Sequence, residues 1–372
     1  MLNKDLKITT TGLTIPFTGL KKQYNNLRTE ILDTTDEVLR SGILMGGNYT
    51  AEFENWLAKK NHVSYAVTCH SGTQALEILA NYYAQTELSY VKPPTVLVPA
   101  LTYPATANAF IRAGWQVMIG ETDYYGQLDI RKTLKDMDSH YHAVCAVGLY
   151  GAALRDMQPA RNRAILLEDG AQHWLSDNCN RQGEATAISF DPTKNLANYG
   201  NGGAVVSDDR NLLDYARDWV NNGKHTRHAE TGTNSRMSEI DCAQMMVKTR
   251  HIDAWQKRRG EIAAHWIEQL KKRNVRSLID DSNFSTHCYH KFVIEVDARD
   301  IVQRNLAICK IETKVHYAEP LHELPAYQHL DNPGGLLSPA SALSRRCLSL
   351  PIYPELTDLE VEYVIDQLLE IV

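Results

Sequence analysis

Asp169 and Lys194 are the two residues whose types and setting most suggest chemistry. They stand twenty-five positions apart, each just after a short apolar run. Glu168-Asp169-Gly170-Ala171-Gln172 follows the run 164–167. In open α/β sheets ligands bind beyond the carboxyl ends of strands, so a carboxylate there can face a cofactor. Ser189-Phe190-Asp191-Pro192-Thr193-Lys194-Asn195 continues the run 185–189. A lysine on a loop after a strand becomes a Schiff-base nucleophile when desolvation or neighbouring cations lower its pKa. Upstream, Ser71-Gly72-Thr73 lies between the run 65–68 and a helix carrying Leu76 and Leu79. Free amides and small hydroxyls at a helix start suit a phosphate. Downstream, Gly200-Asn201-Gly202-Gly203 leads into the run 204–207 and permits turns or close approach by another group. Taken singly, each fragment also reads as ordinary structure: an N-cap, a solvated carboxylate, a surface lysine, a turn.

The elements that must position these residues alternate between strand and helix. Apolar runs recur at 65–68, 95–99, 116–119, 143–147, 164–167, 185–189 and 204–207. Leu20, Tyr24, Leu27, Ile31, Val38 and Leu39 approximate one helical face, and Gly42 follows as a stop. Pro104 opens a second helix and Gly114 closes it. This alternation predicts an α/β fold with a mostly parallel central sheet flanked by helices. The pattern changes near residue 245. A long helix follows with Ile252, Trp255, Ile262, Trp266 and Leu270 on one side. Phe292, Ile294 and Val296 alternate as a strand, and another helix starts near Asp300. Thr357-Asp358-Leu359-Glu360 is a capping box ahead of Val361, Val364, Ile365 and Leu368. We therefore expect a large α/β domain over 1–245 and a smaller C-terminal α+β domain over 246–372.

Composition narrows the classes. With 39 Lys+Arg against 45 Asp+Glu, the 372-residue chain carries a net charge of −6. That disfavours nucleic acid and anionic membrane as partners, which select a basic face. The longest stretch free of charge and histidine, 93–111, is broken by Pro99 and Pro104 and is too polar to span a membrane. Met1-Leu2-Asn3-Lys4-Asp5 has charges where a signal peptide needs an apolar core. Seven scattered cysteines without a CxxC pair point to reduced thiols and a cytoplasmic location.

Together, and in this order, the fragments resemble the DegT/DnrJ/EryC1/StrS family of sugar aminotransferases. Further wording carries the likeness along nearly the whole chain. It includes Ile15-Pro16-Phe17, Leu20-Lys21-Lys22-Gln23-Tyr24, Pro99-Ala100-Leu101-Thr102-Tyr103 and Lys194-Asn195-Leu196. It continues in Gly232-Thr233-Asn234-Ser235-Arg236-Met237-Ser238-Glu239, His316-Tyr317-Ala318-Glu319-Pro320-Leu321-His322 and Leu348-Ser349-Leu350-Pro351. The resemblance implies the type I fold of pyridoxal-phosphate-dependent transferases, as in aspartate aminotransferase. It implies pyridoxal 5'-phosphate on Lys194, with Asp169 at the pyridine nitrogen, Tyr103 on the ring face and Gln172 beside it. Gly72, Thr73 and Ser189 would hold the phosphate. Asn234 would reach the phosphate of a neighbouring subunit, which makes the active site the property of a homodimer. Arg236, Tyr317 and His322 lie in motifs that line the substrate pocket. The implied reaction moves an amino group, from L-glutamate, to a keto-deoxysugar on a nucleoside diphosphate. Some relatives aminate a keto-cyclitol or related carbocycle instead, and a non-catalytic cofactor-binding regulator is the alternative of another class.

Departures bear on substrate choice. Asn201 stands where the family's glycine loop carries Glu, Asp191 where His is frequent, and Thr233 where an aromatic is common. Family members that dehydrate carry His in place of the lysine, and this chain keeps Lys194. No metal site is expected. In His287-Cys288-Tyr289-His290, Cys288 and His290 would share a strand face without a third ligand, which favours packing. His140-Tyr141-His142 reads as a solvated turn, and 257–259 with 271–273 as the wet side of a helix.

Overall fold

In the computed structural model, which describes residues 12–135, 141–176, 182–228, 231–279, 284–330 and 338–372, the first seven apolar runs pair into one sheet. They form β1 (Tyr65–Cys69), β2 (Thr95–Pro99), β3 (Gln116–Gly120), β4 (Ala143–Val147), β5 (Ile165–Asp169), β6 (Ala185–Ser189) and β7 (Gly203–Ser207). Their spatial order is β1-β7-β6-β5-β4-β2-β3. The pairs from β6 through β3 are parallel, and β7 runs antiparallel to both of its neighbours. Helices cover both faces, so β2, β4, β6 and β7 are buried at every position. That burial is why these strands read as unbroken apolar runs rather than alternating ones.

The helices are α1 (Leu20–Ser41), α2 (Asn48–Lys60), α3 (Gly72–Gln85), α4 (Ala105–Arg112), α5 (Ile130–Lys135) and α6 (Gln158–Arg161). They continue with α7 (Arg210–Trp219), α8 (Glu239–Thr249), α9 (Ile252–Lys271), α10 (Arg299–Ile308), α11 (Ser338–Arg346) and α12 (Asp358–Ile371). Gly42 ends α1 in the left-handed conformation at φ 68°, as the stop signal predicts. The capping box opens α12: Thr357 Oγ1 accepts from the Glu360 amide, and the Glu360 carboxylate accepts from the Thr357 amide. A second, antiparallel sheet has the order β10-β9-β8, from β8 (Arg276–Ser277), β9 (Phe292–Glu295) and β10 (Cys347–Leu350). Trp266 of α9, Phe292 of β9 and Val364 of α12 share its core. Ile15 joins that core by bridging Ile311, so the start of the described chain packs with its end. Residue 245, where we place the division between domains, lies within α8.

Four expectations need correction. Leu39 does not share the buried face of α1; it is 55% exposed. A helix turns about 100° per residue, which carries Leu39 away from its buried neighbour Val38. Arg259 is not on the wet side of α9. It lies seven residues from both Ile252 and Trp266, hence over the same buried face, and its guanidinium donates to the carbonyls of Tyr289 and Ile352. Cys288 and His290 are not on a strand. Tyr289 between them has φ 49°, which breaks the alternation, and β9 begins only at Phe292. His142 is not merely solvated: its Nδ1 accepts the Thr95 amide at the start of β2. His140 lies outside the described residues.

Candidate active site

The ends of β5 and β6, the loop ahead of β7 and the first turn of α3 converge on a cavity of about 440 Å³. Backbone closeness makes its floor. A Cβ on Gly72 would lie 2.7 Å from Ser189 Cβ, and one on Gly203 would lie 2.3 Å from the Ser71 carbonyl carbon. Both positions therefore require glycine, since a side chain would force β6 or β7 away from the start of α3. Ser71 caps α3 by accepting the Gln74 amide at 3.1 Å. The Gly72 and Thr73 amides, in the first helical turn, have no partner within the helix and remain available to an anion.

Asp169 closes β5 and is 5% exposed. Thr106 of α4 donates to Oδ2 at 2.7 Å and the Ala171 amide donates to Oδ1 at 3.1 Å. Thr102 and Thr106 are themselves 2.8 Å apart, hydroxyl to hydroxyl. The carboxylate is thus gripped from behind and lines the cavity with what remains. Lys194 sits on the loop that joins β6 to β7. It is half-buried, and desolvation draws its ammonium below the usual lysine range, while Asp169 and Asp191 pull the other way. That balance suits an amine that must act as a nucleophile. Asp191 Oδ1 accepts from the amide and hydroxyl of Thr193, which shapes the turn ahead of Lys194. Those bonds and the Lys194 and Lys291 charges hold the Asp191 carboxyl low against the upward push of its burial.

Gln172 is locked on both sides: its Oε1 accepts the Tyr150 amide at 2.8 Å, and its Nε2 donates to the Tyr317 hydroxyl at 3.1 Å. Burial, with the nearby Asp169 charge, pushes the Tyr317 phenol well up, so it stays protonated. Tyr103 is 58% exposed and meets Tyr317 ring to ring at 5.9 Å.

Lys194, Asp169, Gly72, Thr73 and Ser189 all line this one cavity. Tyr103, Gln172 and Tyr317 line it too. Asn234, Arg236 and His322 are not among its lining residues. Asn234 is exposed and bridges Asn221; Arg236 is exposed. His322 is half-buried, with Nε2 3.2 Å from Ser341 Oγ. Sequence reasoning missed Thr106, Lys291 and His316. Thr106 carries no motif, since only the fold brings it to Asp169. Lys291 did carry a signal, a lysine set between Tyr289 and Phe292 at the head of an apolar strand.

The donor set fits pyridoxal phosphate. It offers a half-buried lysine for an aldehyde, a fixed carboxylate for a pyridinium, an aromatic beside the cavity, and a glycine-floored cup with free amides for a phosphate. Known proteins agree. The model of the DegT/DnrJ/EryC1/StrS aminotransferase family matches residues 25–369. The erythromycin biosynthesis sensory transduction protein EryC1 of Saccharopolyspora erythraea is 33% identical over 94% of this chain and 98% of its own. The dTDP-3-amino-3,4,6-trideoxy-alpha-D-glucose transaminase of Streptomyces venezuelae is 32% identical over 96% of both chains. Among solved structures, S. venezuelae DesV in complex with a ketimine intermediate superposes with a TM-score of 0.87 at 30% identity, over 96% of this chain and 98% of that one. With a family model spanning nearly its whole length and relatives alike end to end, this chain belongs to the DegT/DnrJ/EryC1/StrS aminotransferase family.

Proposed function

We propose that the protein is a pyridoxal-phosphate-dependent aminotransferase that moves an amino group from L-glutamate to a keto-deoxysugar carried on a nucleoside diphosphate. The observation that carries this reading is the meeting of Lys194, Asp169 and the Ser71–Thr73 cup at one cavity. Pyridoxal phosphate, when bound, supplies the electron sink that makes an α-carbon acidic. The chain's own residues do the rest. Lys194 would hold the cofactor, and once the donor amine takes its place its free amine would move a proton to and from the donor's α-carbon. Asp169 holds a proton on the pyridine nitrogen, and Thr106 with the Ala171 amide keeps its carboxylate aimed. The Gly72 and Thr73 amides and the Ser189 hydroxyl bind the phosphate. Tyr103 and Gln172 orient the ring, and Tyr317 lines the substrate side.

The reading includes a homodimer with shared sites. Asn234 and Arg236 are exposed and outside this chain's own cavity, which suits residues that serve a partner's. Leu39, Ile43 and Leu44 are each 45–56% exposed near the C-terminal end of α1, an apolar surface that a second copy would cover. The two domains are assigned as 1–245 for cofactor binding and 246–372 as the smaller unit, and the enzyme is placed in the cytoplasm. Among the described residues no helix is long and apolar enough to cross a membrane. One relative is named a sensory transduction protein, which favours keeping a regulator without turnover as the second reading. Lys194 and Asp169 both facing the cavity argue against it, and bleaching of the cofactor absorbance by the donor alone decides it. The main test is a panel of nucleotide keto-sugars and keto-cyclitols with L-glutamate, read by product mass. An aminated nucleotide sugar is expected; amination of only a cyclitol, or of nothing, would overturn the substrate assignment.

A further inference from the structure

Lys291 is 5% exposed, yet it lines the cavity that holds Lys194 and Asp169. Its ammonium has few partners for its three donors. Nζ reaches the Thr193 carbonyl only at 3.4 Å and lies 5.1 Å from the centre of the Phe17 ring. Asp191 is the carboxylate that opposes it, and that group's Oδ1 is engaged by Thr193. Cations crowd the same place. Burial first, and then Lys194, Arg259 and Lys314, act against the Lys291 charge, so its ammonium is held well below the usual range. His316, which also lines the cavity, is pushed down to about 3 by burial and then by Lys291, Lys194 and Lys314. A buried lysine whose protonated form is so poorly compensated would regain its charge only beside an anion, and the open side of the cavity leaves room for one.

Bond counting selects the anion. An amino donor must place its nitrogen where Lys194 Nζ stood. Its α-carboxylate is attached to the carbon that bears that nitrogen. The seat for this carboxylate must therefore border Lys194, and Lys291 Nζ lies against the carbonyl of the preceding residue, Thr193. A sugar aminated at its third or fourth ring carbon keeps its phosphorus at least two ring carbons and an oxygen away. A carboxylate on the sugar ring is the other source of the same chemistry. We propose that Lys291 is the residue that receives the α-carboxylate of the amino donor, beside Lys194 and His316. This assignment rests on the aminotransferase reading above.

The test uses the cofactor-loaded protein and two small amines that trap the cofactor whatever the natural donor is. Aminooxyacetate carries a carboxylate close to its reactive nitrogen; O-ethylhydroxylamine has a methyl group in its place. Second-order trapping rates are read from cofactor absorbance in wild type, Lys291→Met and Lys291→Arg. Lys291→Met should lose about thirtyfold in the aminooxyacetate rate, the loss typical when one partner of a desolvated charge pair is removed. The O-ethylhydroxylamine rate should stay within threefold, and Lys291→Arg should keep most of the preference. Calorimetric affinity for dTDP and UDP, and the ratio of UDP-glucuronate to UDP-glucose affinity, should be unchanged. An aminooxyacetate preference that survives in loaded Lys291→Met overturns the proposal, as does a loss confined to UDP-glucuronate or to the nucleotides. Absence of any cofactor absorbance in the wild type would instead refute the aminotransferase reading. Melting temperature and absorbance amplitude show that each variant is folded and loaded.

Discussion

Replacing Asp169 by Asn should leave a folded, loaded protein that hardly turns over. The fold should survive because the hydroxyl pair behind Asp169 can reverse. Thr102 and Thr106 lie 2.8 Å apart and either can donate, so Thr106 can accept from the new amide instead of donating to a carboxylate. The Ala171 amide still finds the remaining oxygen. A stability change within about 1 kcal/mol is expected. Catalysis should suffer far more. A carboxylate about 3 Å from a protonated ring nitrogen would be worth at most ~5.5 kcal/mol at an effective dielectric of about 20. Removing one preorganised electrostatic group from an active site commonly costs about 3–4 kcal/mol. At ~1.4 kcal/mol per factor of ten, the half-reaction should slow by roughly 150- to 700-fold. The assay is stopped-flow bleaching of the cofactor absorbance by the donor, with borohydride reduction beforehand on an aliquot to confirm loading of Lys194. Thr106→Val provides the internal comparison: it keeps the charge and loses one 2.7 Å hydrogen bond, and it should cost about tenfold. A rate within tenfold of wild type in fully loaded Asp169→Asn would refute the role given to this carboxylate.

Three further outcomes follow from the same geometry. Borohydride reduction should abolish the yellow absorbance, and peptide mapping should place the pyridoxyl group on Lys194; an adduct on any other lysine contradicts the assignment. Mixing Lys194→Ala with Asn234→Asp under confirmed subunit exchange should restore activity toward half of wild type per mixed dimer, because one site then carries both lesions and the other neither. Flat activity in that mixture removes Asn234 from the partner's phosphate site. Lys248 is fully buried against the Ala197 carbonyl and the Tyr199 ring, and burial draws its pKa down to about 7. A folded-state value below the unfolded one near 10.4 means the unfolded chain binds more protons between those limits, so stability rises with pH across that window. The stability of Lys248→Met relative to wild type should therefore fall by ~3 kcal/mol between pH 7 and pH 9.5 in urea titrations, and a constant difference would show that Lys248 stays charged.

Much of this site is legible in the sequence because its parts sit at strand ends and helix starts, which local patterns mark. Asp169 ends an apolar run, Lys194 follows one, and Gly72 starts a helix. What is not legible depends on contacts between distant segments. Thr106 reaches Asp169 from another helix, and nothing in its neighbourhood in sequence announces that. Arg259 looked wet because its neighbours are charged, yet helical geometry turns it inward to carbonyls of two other segments. Lys291 stands out in the sequence only as a lysine at the head of an apolar strand, and it is the fold that lays it against the loop bearing Lys194. Tyr289 broke an expected strand through a single positive φ, which residue type alone does not reveal.

The direction of β7 has a kinetic consequence. Because β6 and β7 are consecutive and antiparallel, the loop bearing Lys194 closes as a local hairpin. The cup arrives differently: Cys69 at the end of β1 must find Gly203 at the start of β7 across a stretch spanning most of the large sheet's strands. Local closure is fast, whereas long loops pay more entropy before any contact rewards them. Contact order therefore favours placing Lys194 before the Ser71–Thr73 cup is complete. If the protein is the proposed pyridoxal-phosphate enzyme, cofactor capture should report completion of the whole sheet rather than the presence of Lys194, and a chain stalled before β1 docks would expose that lysine with no cup beside it.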